Sequence, residues 1–131
     1  MEIKPNNCFV VKSPFNNGDF YKAYLTMLYP FHKMSIRTVE VAAAFLQKRY
    51  ELSKIISSQD LLNTTLFSSK VKKEIREKLN MNKSNFFQQI NLMRVHKFFI
   101  DDNIINPRYI PNVDDHRDFV LSFVFRLGDG K

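Results

Sequence analysis

Between residues 82 and 94 the chain carries Asn82, Lys83, Asn85, Gln88, Gln89, Asn91 and Arg94, a dense set of amides and cations on one short segment. A primary amide offers a donor and an acceptor side by side, the pattern that pairs with N6 and N7 of adenine, and a guanidinium matches O6 and N7 of guanine. Just upstream, Lys70, Lys72, Lys73 and Arg76 supply cations suited to phosphate oxygens, a contact that positions a nucleic acid without reading it. Asn82, Lys83, Asn85, Gln88 and Gln89 are therefore the candidate base-contacting residues. Lys70, Lys72, Lys73, Arg76 and Arg94 are the candidate phosphate-contacting ones.

Other chemistries find little support. His32, His96 and His116 lie far apart in sequence, outside any HxxH or HExxH context that would place two ligands on one face. The run Asp114-Asp115-His116-Arg117-Asp118 reads as a solvated loop, and Cys8, inside an apolar run, reads as a small core residue. With three glycines in the chain there is no GxGxxG or GxxxxGK[ST] phosphate loop, and no nucleophile elbow can be drawn. The expectation is no enzyme, no metal and no cofactor.

The elements that position the basic segment can be read from periodicity and caps. Cys8–Val11 reads as a short strand and Asn16-Asn17-Gly18 as a turn. Asp19 then caps a helix bearing Phe20, Tyr24, Leu25 and Leu28, which should stop before Pro30. Ser35 is the expected N-cap of a helix from Ile36 to about Tyr50, whose face repeats Val39, Ala42, Ala43, Leu46 and Tyr50. Ser57 or Ser58 caps a short helix through Leu61, Leu62 and Leu66. Ser68 or Ser69 opens a helix over 69–79 with Val71, Ile75 and Leu79 in phase. After Asn80–Lys83 a further helix over 84–97 carries Phe86 or Phe87, Ile90, Met93 and Lys97 in phase. Phe86-Phe87 and Phe98-Phe99 are adjacent pairs, so one member of each is expected at an interface. Asp101-Asp102-Asn103 is a turn. The odd positions Phe119, Leu121, Phe123, Phe125 and Leu127 predict a strand with one buried face.

Within this order, residues 71–100 resemble the helix-turn-helix of winged-helix DNA-binding domains. The spacing sits in Glu74–Phe86: Ile75 and Leu79 end the first helix, Asn80 takes the turn position where glycine is common, Met81 points back to the core, and Ser84 lies near the start of the second helix. The resemblance, which is to bacterial, plasmid and phage regulators and replication initiators, covers about residues 35–127. It implies an α+β, mainly α fold: a trihelical core, a C-terminal β-hairpin wing ending in the 119–125 strand, and an N-terminal strand–helix extension. The whole is then a single domain over 1–131, with an extension at 1–34, the winged-helix core at 35–127 and a tail at 128–131. A wing over Asn106–Asp118 would be acidic for a minor-groove contact, since it holds Asp114, Asp115 and Asp118 beside Arg108 and Arg117.

Composition sets the frame. The chain has 131 residues, 44% hydrophobic and 25% charged, which are globular proportions for one domain. The net charge of +7 is concentrated: residues 68–100 carry eight Lys/Arg against two Asp/Glu, whereas 101–131 carry four against six. A basic excess confined to one window marks a surface for an anionic partner. No leader-like segment and no 18-residue apolar run occurs, so no membrane partner is expected, and the single cysteine fits a reducing, cytoplasmic setting in a bacterium or host cell. The resulting expectation is sequence-specific binding of double-stranded DNA by a homo-oligomer, as a transcription regulator or replication accessory factor. The competing expectation is a phage structural or virion-assembly subunit contacting other phage proteins.

Overall fold

The computed structural model describes residues 17–101, 103–114 and 116–128. The expected strand at Cys8–Val11 lies outside the described residues. Six helices and a two-stranded antiparallel sheet make the described chain mainly helical: α1 (Asn17–Met27), α2 (Tyr29–His32), α3 (Ile36–Ser53), α4 (Gln59–Leu66), α5 (Ser69–Lys78), α6 (Lys83–Val95), β1 (Phe99–Ile100) and β2 (Ile104–Ile105). A 3-10 turn at Pro107–Tyr109 follows the sheet. None of these helices is long and apolar enough to cross a membrane.

The helix starts follow the local chemistry. Ser35, Ser58 and Ser68 are the N-caps of α3, α4 and α5, each side chain accepting the amide hydrogen three residues on. Two starts differ from expectation. Helix α1 already includes Asn17 and Gly18, so Asp19 lies in its first turn, not at the cap. Helix α6 begins before Ser84, because the Asn82 side-chain Oδ1 accepts the Asn85 amide hydrogen at 2.7 Å. Pro30 ends α1 as expected, yet the chain re-enters a helical turn at once, since proline is tolerated in the first turn where no intrahelical donor is needed.

Helix α3 is the centre of the molecule and packs against α1, α4, α5 and α6. Val41, Phe45 and Thr38 are buried in addition to the expected Val39, Ala42, Ala43 and Leu46, because a central helix is covered on several sides. Phe45 is fully buried in an aromatic cluster, stacked on Phe67 and Phe86 and edge-on to Phe99. Tyr21, Tyr24 and Leu25 of α1 and Leu28 just after it join the same core, so the described residues before Ile36 are packed into it.

The C-terminal third departs from expectation. The hairpin pairs Phe99 with Ile105 and Ile100 with Ile104 around a tight turn, and Asn106–Asp118 is not its loop. Residues 119–127 form no strand: their backbone finds no ladder partner among the described residues. Alternation predicts which face a strand buries, but not the neighbour that must complete its hydrogen bonds. Phe119 and Leu121 are half-buried, as the period requires, whereas Phe123 and Phe125 are exposed rather than core. The expectation for Phe98-Phe99 also fails. Both are buried, because the chain has left the helix and turns one ring onto Tyr109 and the other onto Phe45 and Phe67.

His32 is a core residue. Its Nε2–H donates to the Leu25 carbonyl at 2.6 Å and its Nδ1 accepts the Met34 amide at 2.9 Å, the pattern of a neutral ring. Burial lowers its pKa below the ordinary 6.5; the Leu25 bond opposes this and nearby His96 adds to it. A second proton would meet the Met34 N–H already directed at Nδ1. The unfolded chain therefore takes up a proton that the folded ring resists. Stability is unaffected above pH 6.5, falls as the pH drops through that value, and levels off below the lowered folded value. In thermal melts from neutral to mildly acid pH, His32→Gln should show a flatter slope than the parent; parallel slopes would contradict this role.

Candidate nucleic-acid interface

The junction between α5 and α6 sets the geometry of the basic segment. Helix α5 ends in a Schellman turn: the Met81 amide donates to the Arg76 carbonyl at 3.1 Å and the Asn80 amide to the Glu77 carbonyl at 3.0 Å. Asn80 adopts a left-handed backbone with φ 56°, the conformation that glycine or asparagine takes at least cost. Met81 then turns into the core, Asn82 caps α6, and the two helices are joined by only four residues. The Arg76 guanidinium donates to the Met81 carbonyl at 3.2 Å, tying α5 to this turn. A second Schellman turn closes α6, with Lys97 at φ 65° and the Phe98 amide donating to the Met93 carbonyl at 2.9 Å.

Phe86, Ile90 and Met93 bury one stripe of α6 against the core. The opposite stripe, Lys83, Ser84, Phe87, Gln88, Asn91 and Arg94, is exposed. This placement divides the five expected base-contacting residues. Lys83 and Gln88 stand free on the surface, Asn85 is half-buried, and Asn82 is exposed with its oxygen engaged as the cap. Gln89 requires correction. It is 7% exposed, and its Oε1 accepts the Thr38 hydroxyl at 2.6 Å, so it joins α6 to α3 instead of facing outward. At three and four residues from Phe86 and Met93 it falls inside the buried arc, and Thr38 makes that position affordable by pairing the amide.

The cations are brought together in part. Lys72 lies over the Phe67 ring at 4.5 Å and 5.6 Å from the Phe87 ring, and Arg94 lies over Phe67 at 5.7 Å. Phe67 thus gathers one cation from α5 and one from α6 at a shared edge. Arg94 extends this edge to the hairpin: its Nε and Nη2 donate to the Asn103 oxygen and its Nη1 to the Asn91 oxygen. Arg94 is exposed and retains donors for an anion, but its direction is fixed by these amides. Lys70 and Lys73 are exposed along α5. On the α3 side of α5, Lys78 reaches Gln47 at 3.4 Å and Glu74 pairs with Lys48 at 2.9 Å, which holds the Glu74 carboxyl below its usual pKa. The acidic charge at Glu74 is therefore compensated on the flank facing α3.

Two exposed residues, Phe87 and Asn91, were not among the expected site residues. The Phe86-Phe87 pair carried the signal for the first, since one ring had to face away; Phe86 is buried and Phe87 is 47% exposed. Asn91 lies one turn beyond Phe87 on the same stripe. Among the described residues no cluster of three or more His, Cys, Asp or Glu side chains is placed to hold a metal ion. Comparison of the chain with protein-family models, curated proteins and solved structures returned no match.

Proposed function

We propose that this chain binds double-stranded DNA through α6, presented by a helix-turn-helix of α5 and α6 within a winged-helix arrangement, as a small transcription regulator or replication accessory factor. One observation carries the reading. The four-residue Schellman junction buries Met81 and leaves an exposed stripe on α6 that is polar except for Phe87, flanked by Lys72 of α5, with Arg94 and Asn103 linking it to the hairpin. An α-helix of this kind fits the major groove, and the N-terminal part of a second helix is the part that reaches base edges there.

In this reading Lys83 and Gln88 face base edges, Asn91 adds a further amide, and Phe87 offers an apolar ring suited to a thymine methyl group. Lys70, Lys72 and Lys73 hold phosphates, and the short hairpin of β1 and β2 serves as a wing beside α6.

The test is the salt dependence of binding to random-sequence duplex DNA. Each neutralised phosphate contributes a slope of about −0.9 in log affinity against log salt. Replacing Lys72 and Lys73 together by Ala should make the slope shallower by roughly 2 and weaken all sequences alike. Absence of binding at low salt, or an affinity indifferent to salt, would remove duplex DNA as the partner. The exposed stripe of α6 would then be a surface for protein, as in a virion-assembly subunit.

A further inference from the structure

The segment from Asp118 to Arg126 has one face partly seated, and its backbone has no helical or ladder partner among the described residues. The Phe119 ring packs edge-on against Phe20 at 5.1 Å and Tyr24 at 5.7 Å, and the Phe123 ring stacks on Phe31 at 6.1 Å. Beyond these contacts the apolar side chains stand in solvent: Val120 is 78%, Val124 83% and Phe125 81% exposed. The backbone of 118–127 makes no helical or ladder hydrogen bond among the described residues. An exposed apolar run with free amides and carbonyls is a template for another strand.

We propose that this segment pairs, antiparallel, with the same segment of a second copy of the chain, in a register centred on Ser122. The sequence is self-complementary about that residue. Antiparallel pairing there sets Asp118 opposite Arg126, Phe119 opposite Phe125, Val120 opposite Val124 and Leu121 opposite Phe123. Opposed residues share a face, so the aromatic and aliphatic odd positions of both copies lie together over the two cores. The exposed Phe125 of each copy meets Phe119 of the other, whose ring already rests on Phe20 and Tyr24. On the opposite face a Val–Val contact lies inside an Asp–Arg pair at each end. Both charged residues are exposed, and neither has an ion-pair partner among the described residues.

Other registers lose this match. Centring on Leu121 sets Asp118 opposite Val124 and brings Arg126 opposite His116; centring on Phe123 sets Arg126 opposite Val120. The charge complementarity selects a second copy and fixes its register. The pair is closed by a two-fold axis, so it ends at a dimer and does not propagate. A two-stranded ribbon alone is marginal in water, but here Phe119 and Leu121 of each strand rest on a folded core.

The experiment is equilibrium sedimentation of the full chain and of Asp118→Arg, Arg126→Asp and the double exchange. The parent should be dimeric. Each single reversal places like charges opposite one another at both ends and should weaken the dimer about tenfold, and the double exchange should restore it. A second measurement uses Ser122→Cys in a Cys8→Ser background: mild oxidation should give an interchain disulfide, whereas Val124→Cys, whose partner position is Val120, should give little. Far-UV circular dichroism identical to the parent establishes that each variant is folded, as expected for exposed positions. A monomer at the highest soluble concentration overturns the proposal. So does a dimer insensitive to the single reversals, a double exchange that fails to recover, or equal cross-linking at 122 and 124. None of these results depends on whether the chain binds DNA.

Discussion

Phe45→Ala should destabilise the protein by about 3–5 kcal/mol, the range for removing a fully buried phenylalanine. The ring is fully buried, and its neighbours Phe67, Phe86 and Phe99 belong to the α4–α5 connection, α6 and the hairpin. Removing it leaves a cavity that three separately anchored elements cannot collapse to fill, and each ring pair forfeits a further ~0.5–1.5 kcal/mol of oriented aromatic contact. Against a typical total stability of about 5–15 kcal/mol this is a large fraction. In urea unfolding the midpoint should drop sharply with little change in slope. Ile55→Ala, at a position 79% exposed, is the control and should fall within about 0.5 kcal/mol of the parent. A Phe45→Ala midpoint close to that of the control would mean that the aromatic cluster does not hold α6 and the hairpin on α3.

The parts of this fold that were legible in the sequence are those decided within a few residues. Ser35, Ser58 and Ser68 cap helices because a hydroxyl needs only the amide three positions on. Asn80 and Met81 could be assigned to a turn because a left-handed residue and an inward apolar side chain are local requirements. Gln89 belongs by phase to the buried arc with Phe86, Ile90 and Met93, and it was set outside that arc because the partner that lets an amide sit there, Thr38, lies 51 residues away on α3. The 119–127 run shows the same limit. Its alternation is real and Phe119 and Leu121 follow it, but pairing depends on a second strand that periodicity does not name. The candidate site was legible as a composition on one helix. Its shape was not, because the Phe67 ring that gathers Lys72 and Arg94 comes from the connection between α4 and α5.

The most direct test of the central claim uses two adjacent glutamines with opposite environments. Gln88 is exposed on the outer stripe of α6, and Gln89 is buried with its oxygen on the Thr38 hydroxyl. If the outer stripe reads DNA, Gln88→Ala should leave stability unchanged and cost roughly 1–3 kcal/mol on a selected duplex site, the worth of a good bidentate amide–adenine contact. Binding to random duplex should barely move, since the phosphate contacts persist. Gln89→Ala should do the reverse, lowering stability by about 1–3 kcal/mol as a buried hydrogen bond is lost, while the preference for the selected site over random duplex is retained by the folded fraction. The deciding measurement is a competition titration of the parent and both variants, folded by circular dichroism, against the selected site and random duplex. The account predicts that the specificity ratio falls for Gln88→Ala alone. A ratio unchanged in Gln88→Ala, or lowered instead in Gln89→Ala, would contradict it.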